Sequence, residues 1–247
     1  MKEFKKSSRK RAMSVCGILV LGILYSISAK AQHKCSSHQH RLERMARNAA
    51  YAQHIMNAES NFQKASSQAS FKRKADLISI PVVVHVVYNA NEENVSDAQI
   101  QSQLDVLNAD FQLLNEDKLN SSHAFYDDMA DCEIEFCLAK TDPDGNPHSG
   151  ITRTRTDSVN FAGVGNEKFT SFGGHDNWDP NRYLNIWVCN LDEDFGTLGY
   201  SSFPTDLKDY PREDGVVIHF RCFGTTGTAG SGDFQENNLG RTATHEV

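Results

Sequence analysis

The run Ile78-Ser79-Ile80-Pro81-Val82-Val83-Val84-His85-Val86-Val87-Tyr88 decides the fold. Seven of its eleven residues are Val or Ile. A half-exposed strand would alternate; a near-continuous β-branched run is a strand covered on both faces, as inside a parallel sheet. Pro81 falls early enough to be compatible with a strand start. Ser96-Asp97-Ala98-Gln99 then reads as a capping box. Ile100, Leu104, Leu107, Phe111 and Leu114 follow at spacings of four, three, four and three, the apolar stripe of an amphipathic helix. Glu133 to Ala139 alternates, with Ile134, Phe136 and Leu138 on one face. Asp142-Pro143-Asp144-Gly145-Asn146-Pro147 is a turn. Tyr183 to Val188 and Gly215 to Phe220 are short apolar strands. The order strand, helix, strands, helix predicts an α/β fold with a twisted, mostly parallel sheet. Residues 141–182 are expected to be loop-rich, and the Gly/Thr/Ser-rich stretch from Phe223 to Gly232 to be flexible.

The chain divides into three parts. Residues 1–31 carry a basic start (Lys2, Lys5, Lys6, Arg9, Lys10, Arg11), an apolar run from Ala12 to Ala29, and Ala29-Lys30-Ala31, the layout of a secretory signal with its cleavage site. An uncleaved membrane anchor is the other reading of that run. Export implies an oxidising compartment in which disulfides are permitted. Residues 32–75 hold eight Lys/Arg against two Asp/Glu, whereas residues 76–247 hold ten against 29. So sharp a split points to two parts with different tasks. A basic, Gln/Ser/Ala-rich leader ahead of an acidic body is either a prosegment lying across an acidic cleft or a solvated linker. The acidic body does not suit nucleic acid; it suits basic substrates or Ca²⁺.

Chemistry concentrates at the other end. Gly240-Arg241-Thr242-Ala243-Thr244-His245-Glu246-Val247 closes the sequence. His-Glu on a helix opens the zinc motif H-E-x-x-H, in which two histidines a turn apart bind the metal and the glutamate acts on the metal-bound water. The second histidine would stand two positions beyond Val247. A helix capped by Asn237 or Asn238 is expected to run through Glu246, fed by the last strand and the glycine-rich loop.

Eight ordered segments extend this signal: Pro81-Val82-Val83-Val84-His85-Val86-Val87-Tyr88, Ser96-Asp97-Ala98-Gln99-Ile100, Val106-Leu107-Asn108-Ala109-Asp110-Phe111, Gly150-Ile151-Thr152-Arg153, Leu184-Asn185-Ile186-Trp187-Val188-Cys189, Leu198-Gly199-Tyr200-Ser201, Asp214-Gly215-Val216-Val217 and the terminal octapeptide. Together they resemble the pappalysin family of metzincin zinc endopeptidases, especially its secreted bacterial members. The resemblance covers residue 78 onward. It implies a metzincin-type N-terminal catalytic subdomain over residues 76–247, incomplete at its C-terminus. It also implies three zinc-binding histidines of which His245 is the first, with Glu246 as general base and zinc as the Lewis acid. An edge strand, placed near Leu198 to Phe203, would hold an extended peptide substrate. Calcium sites, a methionine turn and specificity residues would lie outside these residues, and cleavage would fall beside Arg or Lys.

The leader carries two further candidates. In some relatives a leader cysteine occupies the zinc until the leader is removed. Cys35 stands in that place but is followed by Ser36 where those relatives have glycine, so a switch and a free or disulfide-bonded thiol both stay open. Lys72-Arg73-Lys74, at the junction of basic leader and acidic body, is the candidate activation cleavage site. His85, His219 and Trp187 read as packing residues, and His175 as an exposed loop residue. The expected partners are a protein or peptide substrate and the chain's own leader as inhibitor. The 247 residues alone are expected to be inactive. A secreted binding or adhesion module on the same fold, and an unrelated extracellular α/β domain, are the competing readings.

Overall fold

The valine run forms the central strand. In the computed structural model, which describes residues 36–68, 77–162, 165–192 and 196–247, β1 spans Ile78–Tyr88 and Val82 to Val87 are buried. The signal-like residues 1–31, Cys35 and Lys72 to Lys74 lie outside the described residues. The leader holds two helices, α1 (Ser37–Arg47) and α2 (Ala49–Gln68). After β1 come α3 (Asp97–Phe111), β2 (Ile134–Leu138), β3 (Ile151–Arg155), β4 (Leu184–Cys189), β5 (Gly199–Ser201), β6 (Val216–His219) and α4 (Arg241–Glu246). Among the described residues no helix is long and apolar enough to cross a membrane.

These strands make one sheet, ordered β2-β1-β4-β6-β5. β1 is long enough to take two partners on one edge: β2 along Ile78 to Val82 and β3 along Val84 to Tyr88. Every pairing is parallel except β5 with β6, so a short antiparallel strand forms the far edge. The expected mostly parallel sheet is present.

Strand alternation divides β1 between two cores. Val82, Val84 and Val86 pack with Ile100, Leu104 and Leu107 of α3, and with Ile186, Ile218, Phe223 and Ala243. On the other face Val83 packs with Trp178 and Tyr183, and Val87 with Trp187, Tyr200 and Val217. Helices α3 and α4 therefore share one face, which sets α4 against the β5–β6 end of the sheet.

Several expectations need correction. The α3 stripe does not reach Leu114, which is 67% exposed. The helix ends at Phe111, where Leu113 takes a left-handed conformation (φ 55°), its amide bonding Asp110 O and the Leu114 amide bonding Ala109 O. That is a Schellman closure with leucine in the usual glycine position. The capping box is half present: Ser96 Oγ accepts the Gln99 amide, but the Gln99 side chain reaches across to another loop. The stretch 141–182 contains β3. Only one residue of Ile151-Thr-Arg-Thr-Arg155 is a large apolar one, so composition hid the strand. Arg153 secures it through Asp97 (2.5 Å) and Val95 O (2.7 Å). The last helix starts at Arg241, two residues after an exposed Leu239, because Gly240 (φ 67°) turns the chain just before it. Cys132, Cys137, Cys189 and Cys222 are all unpaired thiols.

Candidate active site

α4 carries His245 and Glu246, and two glutamines of α3 position it. Gln103 donates to Gly240 O (3.0 Å) and accepts from the Gly224 amide (2.7 Å). Gln99 donates to Phe220 O and Phe223 O and accepts from Thr228. Both glutamines are buried, so their own amide groups need these loop partners to be satisfied. They pin the glycine-rich stretch to α3 and deny it the flexibility expected from its composition. Arg241 bridges Asp110 and Asp117, and Thr244 Oγ1 donates to Asp110 (2.7 Å), tying α4 to the end of α3.

The two motif residues differ in environment. His245 is exposed. Glu246 is only 7% exposed and faces β5. Ala243, on the same helix, is fully buried in the core between α3 and the sheet. β5 runs close to α4 because Gly199 has no side chain. A Cβ there would meet Val217 O at 2.8 Å and the Thr242 methyl at 3.2 Å.

The leader closes this corner. Ser37 Oγ donates to Glu246 Oε2 (3.0 Å) and accepts the Ser201 amide (2.8 Å), and Ser201 Oγ lies 3.4 Å from the same carboxylate oxygen. One leader hydroxyl therefore joins the glutamate to an outward amide of the edge strand. From there the leader follows the chain beyond β5. The His40 ring packs edge-on to Tyr200, and Arg41 stacks on Phe203 (4.2 Å) while donating to Thr205 Oγ1 (2.6 Å). Arg44 pairs with Glu213 and lies 3.9 Å from Asp206. In α2, Tyr51 OH donates to Asp206 (2.7 Å) and His54 contacts Asp209 (2.6 Å). The described part of the basic segment thus lies against Asp206, Asp209 and Glu213 of the body.

Composition missed a buried charged pair beneath this surface. Asn166-Glu167-Lys168 looks like an ordinary solvated turn. Yet Glu167 and Lys168 are buried, Glu167 accepting from Tyr200 OH and Lys168 donating to Glu213 O (2.6 Å) and Gly215 O (3.3 Å). Burial pushes the Glu167 carboxyl up and the Lys168 ammonium down, each toward its neutral form. Lys168 also sits over the Tyr200 and Trp187 rings. Its function in the structure is to fix the Glu213–Gly215 segment that the leader contacts.

The histidines sort by burial. His85 is fully buried, with Nδ1 2.8 Å from Thr152 Oγ1 and Nε2 3.0 Å from Asn185 Oδ1. Asn185 Oδ1 also accepts from Trp178 N, and Asn185 Nδ2 is spent on Trp178 O. Nε2 is thus the protonated nitrogen. Burial holds the ring neutral and lowers its pKa to about 3. His175 is not a free loop residue: its ring stacks on His85 at 4.4 Å and its carbonyl accepts from the Trp187 indole. His219 and Trp187 are packing residues, as expected.

No family profile matches the chain. It is 25% identical over 222 residues to an extracellular metalloprotease of Arthroderma gypseum, spanning 90% of this chain and 59% of that protein. The structure is similar to that of a promirolysin point mutant from Tannerella forsythia, with 43% identity and a TM-score of 0.75. That match covers 87% of this chain and 67% of that one. It is also similar to mature mirolysin of the same organism in complex with a cleaved peptide, with 50% identity and a TM-score of 0.65. Here 70% of this chain and 63% of that one are covered. With 43% identity over 67% of promirolysin and a TM-score of 0.75, the chain belongs to the pappalysin family of metzincin metallopeptidases.

Proposed function

We propose that the whole protein is a secreted zinc endopeptidase made as a zymogen, and that residues 32–75 are its inhibitory prosegment. The observation that carries this reading is Ser37, seated between Glu246 and the Ser201 amide of the edge strand. A strand edge offers an extended peptide its main-chain hydrogen bonds. A carboxylate beside that edge is placed to take the proton of an attacking water. The leader fills the spot where both would act. Support also comes from the comparisons: the promirolysin match reaches 87% of the chain and the mature-mirolysin match 70%, a difference of about the leader's size.

In this reading Glu246 is the general base and His245 the first zinc ligand. Among the described residues no three His, Cys, Asp or Glu side chains converge as a metal site, so these residues do not by themselves fit a closed zinc site. Cys35 is the candidate switch and Lys72-Arg73-Lys74 the activation cleavage site. Cleavage beside Arg or Lys agrees with the acidity of the body.

The test uses the full-length enzyme and its Glu246→Ala variant on an Arg-containing quenched fluorescent peptide, with N-terminal sequencing of the matured product. The reading expects cleavage by the wild type only, and a mature N-terminus at residues 72–76. Equal cleavage by both proteins overturns the role of Glu246. Peptide binding without cleavage by the wild type favours the adhesion-module reading.

A further inference from the structure

The Arg44 site differs from an ordinary surface ion pair. Its guanidinium stacks on the Tyr210 ring at 4.4 Å, pairs with the Glu213 carboxylate, and lies 3.9 Å from Asp206. Arg44 and Glu213 side chains are each 24% exposed and Asp206 4%. An aromatic face with carboxylates at the guanidinium edge is the arrangement that selects arginine over a point-charge cation. The walls are fixed without the leader. Asp206 accepts the Phe203 amide (3.2 Å), and Lys168 holds the carbonyls of Glu213 and Gly215 from below. The site also lies on the path of the cleft, since Asp206 is reached by following the chain from Ser201, level with Glu246, through Phe203.

We propose that Tyr210, Glu213 and Asp206 form a substrate subsite for an arginine side chain on the N-terminal side of the scissile bond, which Arg44 of the leader occupies in the zymogen. This rests on the peptidase reading above. The side follows from strand polarity. A peptide pairing antiparallel with β5 runs opposite to the Ser201-to-Asp206 direction, so its residues nearer Asp206 precede those beside Glu246. At about 3.3 Å per residue the arginine falls within about four residues of the cleaved bond. Removing the leader takes away one guanidinium and the Tyr51 hydroxyl. Two carboxylates and an aromatic face are then exposed to whatever cation the substrate presents.

The test uses the mature enzyme and peptides that carry arginine or citrulline at each of the four positions before the cleaved bond. Citrulline keeps the planar shape and removes the charge. The expected result is an arginine preference in kcat/KM of roughly tenfold at one of these positions. Glu213→Gln should bring that ratio close to one. Tyr210→Leu provides a second check and should lower kcat/KM for the arginine peptide at the same position. A ratio of one at every position in the wild type overturns the subsite while leaving the peptidase reading standing. So does an arginine preference that survives both substitutions. Failure to cleave any peptide overturns both.

Discussion

Ser37 shows how much one hydroxyl can do at a cleft. It donates to the Glu246 carboxylate and accepts an edge-strand amide, and it is buried while doing so. In the zymogen reading, Ser37→Ala in the full-length protein should weaken the leader's hold by about 1–2 kcal/mol, roughly tenfold in affinity. The check is the rate of leader loss; an unchanged rate would remove Ser37 from the inhibitory contact. His40 adds a pH dependence. Burial first, then Arg44, lower its pKa below 6.5 in the docked leader. Docking is therefore undiminished above the free-histidine value and weakens as pH falls through it. His85 acts in the same sense on the body. With the folded pKa near 3 and the unfolded near 6.5, the unfolded state binds the extra proton between these values. Stability is full above about 6.5 and is lost on acidification, by an amount on the order of a few kcal/mol. His85→Asn should flatten that slope in thermal melts taken between about pH 4 and 7; an unaltered slope would assign it to other groups. At this scale the sequence is legible where a residue's neighbours are its own strand: His85 in a valine run had to be buried. It is silent about Glu167 and Lys168, whose partners Tyr200, Glu213 and Gly215 lie 33 to 47 positions away.

Among the elements, α3 does more than its apolar stripe implies. Its polar residues Gln99 and Gln103 reach the loop before α4, and so govern where Glu246 stands. Gln103→Ala would leave Gly240 O and the Gly224 amide without these partners, at a cost of about 2–3 kcal/mol. Denaturant melts should show that loss, and amide exchange should rise across residues 224–246 while β1 stays protected. Exchange that rises evenly across the chain would argue against a local role. β1, β2, β4 and β6 were legible because hydrophobic periodicity records burial. β3 was not, because a polar strand held at one edge by Arg153 carries no such record. The leader helices were missed because their sequences are polar; they are supported by the surface beneath them.

For the molecule as a whole, the opposed charges of leader and body meet at Arg44, beside Glu213 and Asp206, while Arg41, Tyr51 and His54 add contacts to Thr205, Asp206 and Asp209. Ion pairs at partly exposed positions are screened by salt. A synthetic leader of residues 36–68 should inhibit the mature enzyme, and its inhibition constant should rise steeply between about 0.05 and 0.5 M salt. An inhibition constant indifferent to salt would place the affinity in apolar contacts instead. Fold class and motif could be read from the sequence because each repeats a local pattern. The acidic surface could be counted but not located, since Asp206, Asp209 and Glu213 are brought under the leader only by the turns after β5.

The shape of α1 has one more consequence. It crosses β5 as a helix and meets the Ser201 amide with a side chain, so it lays no extended peptide bond along the edge. In the zymogen reading proposed above, a copy with α1 docked presents no peptide bond of that helix to its own edge strand, and cleavage at Lys72 to Lys74 is expected to come from a copy whose leader has already left, which makes maturation a reaction between molecules. Its time course should begin with a lag, shorten on seeding with mature enzyme, and slow on dilution, as in any self-amplifying process.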